Sequence, residues 1–310
     1  MNDKELYLLE KACFAVEDFV AHSKNINNVS YKTRDAHVTS YSTLKGRYIA
    51  YDNFEERSVF PLKDLNCIIR ISNAHMKLVS QKKAIPAYGF SVKISNDEQT
   101  ILNLPLVNFP LFPINHISRF LKLFTAVNYF FSRSLLRKFP QAIKILKNVI
   151  VLLPGLFNPS FVRETLKLVR KRNNFILSFD YHSIGAYRLG NHIVKYKLAP
   201  IGVPVKCDQN RIDCAIKDYV LDYNYELELM VQYCYNLKDQ PVNQLNKNWK
   251  NSDFVPIGRI QISQLIDKDD VSVEKMSFNP FESSEGLQPV GKIQRLRDQA
   301  YKASFKIRNE

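Results

Sequence analysis

The chain has 310 residues, a formal net charge of +14, and a composition that is 45% hydrophobic and 12% aromatic. This length and apolar content suit one large domain or two closely fused ones, and they are sufficient to enclose a cofactor. The longest apolar run, 149–157, has about half the length of a transmembrane helix. It therefore predicts a soluble protein, or one that is at most peripheral to a membrane.

The first half of the chain changes from a helical to a strand-like pattern. Apolar residues recur at helical spacing over residues 5–25, which predicts a helix. From about residue 34 to residue 112, short β-branched and aromatic runs are separated by polar turns, and this pattern predicts strands. The clearest of these runs are 48–51, 68–71, 89–94 and 100–102.

Residues 114–172 form a predicted helical insertion that is unusually basic. Lysine and arginine alternate there with Phe and Leu, most densely at 167–172. One interpretation is that these are the solvated faces of amphipathic helices. The other is a basic surface that contacts a membrane or another polyanion. The sequence leaves both open, although nucleic acid is not among the partners that we expect.

The second half returns to strands and closes on a helix. Residues 174–179, 192–198, 225–233 and 256–262 have strand texture, and the third of these alternates as a half-buried strand does. Apolar residues at helical spacing predict a terminal helix over 288–308. Strands at 31–112 and 174–265, interrupted by helices, predict an α+β fold: an antiparallel β-barrel with external helices.

The cysteines indicate a reducing compartment. There are five, scattered along the chain without a Cys-x-x-Cys pair, and an odd, scattered set is typical of free thiols. Residues 1–5 are charged and lead into an amphipathic segment, so we predict no secretory signal. We therefore expect a cytoplasmic protein.

Several common chemistries have no motif in this chain. Its nine glycines form no phosphate-binding loop, and neither a Gly-x-Ser-x-Gly nor a His-Glu-x-x-His motif occurs. The six histidines share no metal-ligand spacing. Composition and periodicity alone therefore predict only a basic α+β or barrel domain.

The C-terminal segment is more specific. It contains Phe278-Asn279-Pro280, then Pro289-x-Gly291, then Arg295-x-Arg297 with Tyr301 four residues after the second arginine. This order resembles the closing segment of the small catalase-related haem proteins. Arg297 and Tyr301 lie one helical turn apart, so they share a face. A guanidinium beside a phenol favours the phenolate, the form of tyrosine that binds ferric haem iron.

The resemblance extends to the other side of the expected haem pocket. Arg34-Asp35-Ala36-His37 is similar to the family's Arg-x-x-His, in which the histidine is the distal acid/base and the arginine binds a haem propionate. Arg70-Ile71-Ser72 resembles the family's Arg-x-Ser strand. The resemblance implies that Arg70 is a second propionate partner and that Ser72 also belongs to the cofactor site.

The distal pocket of the family is completed by an amide and by aromatic rings. Asn108 precedes Pro110-x-Phe112, where the family has its distal asparagine, and Phe120 follows Phe112 at the spacing of two haem-edge phenylalanines. Over residues 1–310 the resemblance implies a single haem domain with haem b as cofactor. It makes His37 and Asn108 the catalytic residues and Tyr301 the axial ligand of the iron.

The implied function is peroxide metabolism, by a peroxidase or a weak catalase that acts on hydrogen peroxide or an organic hydroperoxide. One alternative keeps the haem but isomerises or cleaves a fatty-acid hydroperoxide. Ala36 stands where that branch has a threonine before the distal histidine, which favours peroxidase chemistry. The other alternative is a haem-binding protein without enzymatic activity. The sequence does not decide whether the protein forms a homo-oligomer.

Overall fold

The computed structural model describes residues 1–52, 54, 58–60, 63–78, 86–207, 211–267, 270 and 272–310, without the side chains at 135 and 152–156. Within these ranges the chain forms α-helices, β-strands and short 3-10 turns. The helices are α1 (Asp3–Asn27), α2 (Ile117–Ser132), α3 (Leu135–Leu156), α4 (Pro159–Arg170), α5 (Ile212–Asp222), α6 (Ser272–Lys275) and α7 (Lys292–Asn309).

The strands form one antiparallel sheet that closes on itself. They are β1 (Ser40–Ala50), β2 (Asp64–Asn73), β3 (Tyr88–Ser95), β4 (Thr100–Val107), β5 (Tyr181–Ser183), β6 (Ala186–Leu189), β7 (His192–Ile201), β8 (Glu226–Tyr233), β9 (Phe254–Ile266) and β10 (Pro289–Val290). Their order is β10-β6-β7-β5-β4-β3-β2-β1-β9-β8. Because β7 also pairs with β8, eight of the described strands form a closed barrel, and β6 and β10 extend it at one edge.

Alternation along the strands fills the barrel with apolar side chains. In β8, Leu227, Leu229 and Val231 are buried, whereas Glu228 and Met230 between them are partly exposed. Large rings complete the interior, and those of Phe90 and Tyr181 lie 4.5 Å apart between centroids. The aromatic residues of the sequence therefore form much of the barrel core.

Three helices pack together outside the barrel. α1 contacts both α2 and α7. Ala12 of α1, Leu121 of α2 and Leu296 of α7 belong to one buried apolar cluster, and Phe19 and Ala303 belong to a second cluster beside it. The packing holds α7 on the side of the barrel where His37 lies, just before β1.

The predicted α+β barrel with external helices and a C-terminal helix is confirmed. α1 covers the predicted 5–25 helix, and α2, α3 and α4 occupy the predicted 114–172 insertion. The predicted helix over 288–308 begins later, at Lys292, because Pro289–Val290 pairs with β6. Within the predicted strand region 31–112, residues 53, 55–57, 61–62 and 79–85 lie outside the described residues.

One detail of the prediction was wrong, and α5 was not predicted. Residues 176–178 form a 3-10 turn rather than a strand, because the Ser178 backbone N–H and hydroxyl both donate to the Phe175 carbonyl, at 2.9 and 2.8 Å. The flanking apolar side chains are all buried, so the run lacks the alternation of a half-buried strand. The chain remains helical across Pro154–Gly155, within α3.

Two further expectations concern membranes and thiols. Among the described residues, no helix has the length and apolar content needed to cross a bilayer. All five cysteines are free thiols, as their spacing predicts. Cys67 is buried in the barrel, where burial raises the pKa of its thiol well above the ordinary value.

Candidate functional site

Most of the predicted site residues line one cavity of about 240 Å³ between the barrel and α7. Those that face it come from both ends of the chain: Arg34, His37, Arg70, Phe112, Phe120, Arg297 and Tyr301. A larger cavity of about 640 Å³ lies elsewhere, between α4 and strands β5, β7 and β9. The smaller cavity therefore brings together most of the residues that the sequence predicts as the functional site.

His37 reaches the cavity in a strained conformation. Its φ of 56° lies in the left-handed region, which residues other than glycine seldom adopt. The ring packs over Gly89 of β3, and its Nδ1 lies 3.2 Å from the Ser72 hydroxyl on β2. Ser72 and Gly89 are register partners in the sheet. Ser72 therefore supports the imidazole from below and does not line the cavity itself.

The surroundings of His37 keep its imidazole neutral. Burial, together with the positive charges of Arg70, Arg297 and Arg34, lowers its pKa to about 3. A neutral imidazole at physiological pH has one nitrogen able to accept a proton. The ring is therefore held as a base rather than as a cation.

Arg297 and Tyr301 face the cavity from α7. Arg297 Nη2 lies 3.4 Å from Tyr301 Oη, and its guanidinium lies 5.8 Å from the tyrosine ring centroid. Arg297 Nη1 donates to Gln294 Oε1 at 2.8 Å, which fixes the guanidinium on this face of the helix. Burial acts to lower the pKa of Arg297, but the phenols of Tyr301 and Tyr187 outweigh it and raise that pKa above its ordinary value.

A buried ion cluster forms one end of the cavity. Arg70 Nε and Nη2 lie 2.9 and 2.8 Å from Glu274 Oε1 of α6, and Arg34 Nε lies 3.4 Å from Glu274 Oε2. Arg34 also donates to the Met276 carbonyl at 2.8 Å. Burial acts to raise the pKa of Glu274, but Arg70 and Arg34 outweigh it, so that pKa lies below its ordinary value.

A third arginine, Arg308 of α7, joins this cluster and was not predicted. Its Nη1 donates to the Glu274 backbone carbonyl, while its Nε is buried without a hydrogen-bond partner in the described part of the chain. Burial and Arg34 lower its pKa to about 9. Its spacing from Tyr301, two helical turns along the same face, is the signal that could have revealed it.

The cavity carries more positive than negative charge. Four guanidinium groups line it, and the carboxylates beside them are those of Asp35 and Glu274. Even with both carboxylates ionised, two positive charges remain in excess. Buried charges need partners, so the cavity fits a ligand that carries anionic substituents.

The opposite wall of the cavity is aromatic. Phe112 and Phe120 meet edge to face with ring centroids 5.7 Å apart, and Phe120 stacks on Phe124 at 5.5 Å. Phe120 and Phe124 come from α2, whose other contacts hold it against α1 and α3. An apolar wall opposite a cationic end suits a flat apolar ligand with acidic groups along one edge.

Asn108 does not enter this cavity. Its Oδ1 accepts the Tyr88 backbone N–H at 2.8 Å, and its Nδ2 donates to the Pro86 carbonyl at 3.0 Å. Both ends of the amide are therefore used by the segment that leads into β3, and the residue lines the 640 Å³ cavity instead. The predicted distal role of Asn108 is not supported by this geometry.

The site fits haem better than a bare metal ion. No group of three or more His, Cys, Asp or Glu side chains in the described ranges could hold a metal. Haem iron needs only one protein ligand and brings its own anionic propionates, which match the excess positive charge. The volume of 240 Å³ is below the roughly 300–1,000 Å³ of ligand pockets, so haem fits only if lining side chains move outward.

Two solved structures with the same fold are catalases. Catalase A from Saccharomyces cerevisiae superposes with a TM-score of 0.70 and 16% identity, over 92% of this chain and 63% of that chain. A fungal catalase superposes with a TM-score of 0.64 and 17% identity, over 91% of this chain and 59% of that chain. This chain thus spans less than two thirds of the length of either catalase. No family model and no curated protein sequence matches it. The likeness shows a catalase-like fold.

The contact between His37 and Gly89 gives a direct test of the distal side. A Cβ at position 89 would overlap the His37 ring and lie 2.8 Å from Ser72 Oγ. Gly89→Ala should therefore lower the free energy of unfolding by about 1–3 kcal/mol, measured by urea denaturation. Gly286→Ala is the control, because its nearest neighbour would be 3.7 Å away. Equal stability of the two variants would show that His37 does not pack on Gly89.

Proposed function

We propose that this cavity binds haem b with Tyr301 as the axial ligand of the iron, and that the protein is a peroxide-metabolising oxidoreductase, a peroxidase or a weak catalase. The observation that carries the proposal is the convergence of a phenol on α7 and a neutral imidazole before β1 on one cavity with a cationic end. The catalase-like fold supports it.

Haem bound there would supply the redox chemistry of peroxide. Arg34, Arg70 and Arg308 would hold the propionates through charge-assisted hydrogen bonds. The orphaned Nε of Arg308 supplies a donor that no protein group uses in the described part of the chain. Arg297 would orient the Tyr301 side chain, because its Nη2 donates to Tyr301 Oη at 3.4 Å.

His37 would act as the acid and base. The contact of its Nδ1 with Ser72 leaves Nε2 to take a proton from a peroxide oxygen and return it to the leaving oxygen. Its left-handed backbone and the close approach of Gly89 fix the ring position. The aromatic wall of Phe112, Phe120 and Phe124 would exclude water from the apolar face of the cofactor.

Tyr301→Phe tests the ligand assignment. Apo-protein mixed with hemin should give a tyrosinate-type visible spectrum, and the variant should lose it. Hemin binding should weaken by more than about tenfold, the low end of what loss of a supporting partner costs a metal site. Both are measured by absorbance titration.

The exposed Tyr235 provides the matched control for this experiment. Tyr235→Phe should bind hemin with the wild-type spectrum and affinity. An unchanged spectrum in Tyr301→Phe would mean that another group binds the iron. If the wild-type protein gives no Soret band with hemin, the haem proposal itself is wrong.

His37→Ala tests the acid–base role. The variant should keep hemin bound but react with hydrogen peroxide about 10²–10⁴-fold more slowly in stopped-flow measurements. Because the pKa of His37 is lowered to about 3, its neutral form persists as pH falls from 8 to 5, so the wild-type rate should stay flat there.

The exposed His22 on α1 provides the control for that variant. His22→Ala should react with peroxide at the wild-type rate. An inflection of the wild-type rate near pH 6.5, the ordinary pKa of histidine, would contradict the neutral, desolvated imidazole. Full reactivity with peroxide in His37→Ala would show that His37 is not the acid and base of the reaction.

A further inference from the structure

α3 exposes a continuous apolar stripe to solvent. Its members are Leu136, Phe139, Ile143, Leu146 and Ile150, with exposed fractions of 91, 71, 53, 62 and 54%. They recur at alternating spacings of three and four residues, which places them on one face of the helix. Soluble proteins seldom expose a patch of this extent unless it binds something.

The inner face of α3 is mixed, because polar side chains lie there beside the partly buried Ala142 and Ile145. Gln141 is buried and Asn148 is partly buried, both opposite the apolar stripe. α3 packs against α2, which is thus its support in the fold. An amphipathic helix that served only the protein core would turn its apolar stripe inward. The arrangement of α3 therefore indicates an external apolar partner.

All the charged residues of α3 are positive. Arg137, Lys144 and Lys147 are exposed beside the apolar stripe. Between Glu98 and Glu164 the sequence contains eight lysines and arginines and no acidic residue. The partner must therefore offer an apolar layer beneath an anionic surface.

The next helix repeats the pattern. On α4, Val162, Leu166 and Val169 are exposed along one face, with exposed fractions of 39, 53 and 50%. Arg163 and Lys167 lie beside that face and are also exposed. Each of the two helices thus exposes an apolar stripe with basic residues beside it, although on α4 Arg163 and Lys167 pair with Glu164, at 3.6 and 2.9 Å.

We propose that α3, together with α4, binds the surface of an anionic lipid bilayer. The apolar stripe would enter the boundary between headgroups and acyl chains, and the flanking lysines and arginines would contact anionic headgroups. The helix would lie in the plane of the membrane; no described helix is able to cross it.

Charge favours lipid over a second copy of this chain. A pair of α3 helices could interlock their stripes, since the three-four spacing also suits helix pairing. Such a pair would bring lysines and arginines together without any carboxylate on α3 to neutralise them. Anionic headgroups neutralise the same charges, so the bilayer is the partner that fits both features.

Vesicle co-sedimentation tests this proposal with the full chain. The protein should bind vesicles of phosphatidylcholine mixed with phosphatidylserine, should release them at high salt, and should ignore phosphatidylcholine alone. Phe139→Ser/Leu146→Ser and Lys144→Glu/Lys147→Glu should each weaken binding at least about tenfold. None of these residues lines the haem cavity, so hemin binding should not change.

The chain offers a matched control for each double variant. Leu221→Ser/Leu237→Ser removes two equally exposed apolar groups, and Lys217→Glu/Lys238→Glu reverses two exposed charges, both away from α3. Both controls should bind vesicles as the wild type does. Equal loss in the controls, binding without anionic lipid, or a dimer in light scattering that only the α3 variants dissociate would overturn the proposal.

Discussion

The ion cluster around Glu274 is the constraint on which the candidate site depends. It ties the segment before β1, strand β2, α6 and α7 together through Arg34, Arg70 and Arg308. Desolvated charges are tolerated only when they are paired, and this cluster has more guanidinium groups than carboxylates. The same groups that fasten α7 to the barrel therefore favour an anionic ligand beside Tyr301.

The barrel and one cavity could be predicted from the sequence, because both leave patterns within single segments or motifs that follow one another in a known order. Alternation in β8 and helical spacing in α1 each occur within one segment. Agreement of motifs in chain order linked His37 to Tyr301 although 264 residues separate them. The structure places both on one cavity, which is what the resemblance implied.

The remaining features depend on contacts that no local pattern encodes. Asn108 occurs in the predicted motif, yet its side-chain amide accepts a hydrogen bond from the Tyr88 backbone N–H, and the residue lines the 640 Å³ cavity. Glu274 lies in a short helix without a motif, so only the fold reveals its pairing with two arginines. Likewise, only the exposed fraction of each α3 residue reveals that its apolar face points outward, because helical spacing does not indicate which face is buried.

Comparison of hemin with hemin dimethyl ester isolates the contribution of the arginine cluster, because the ester removes only the two propionate charges. Each charge-assisted hydrogen bond contributes roughly 1.5–3 kcal/mol, so the arginine cluster should bind hemin at least about tenfold more tightly than the ester in absorbance titrations. Equal affinity for the two compounds would show that the excess positive charge of this cavity does not hold the propionates.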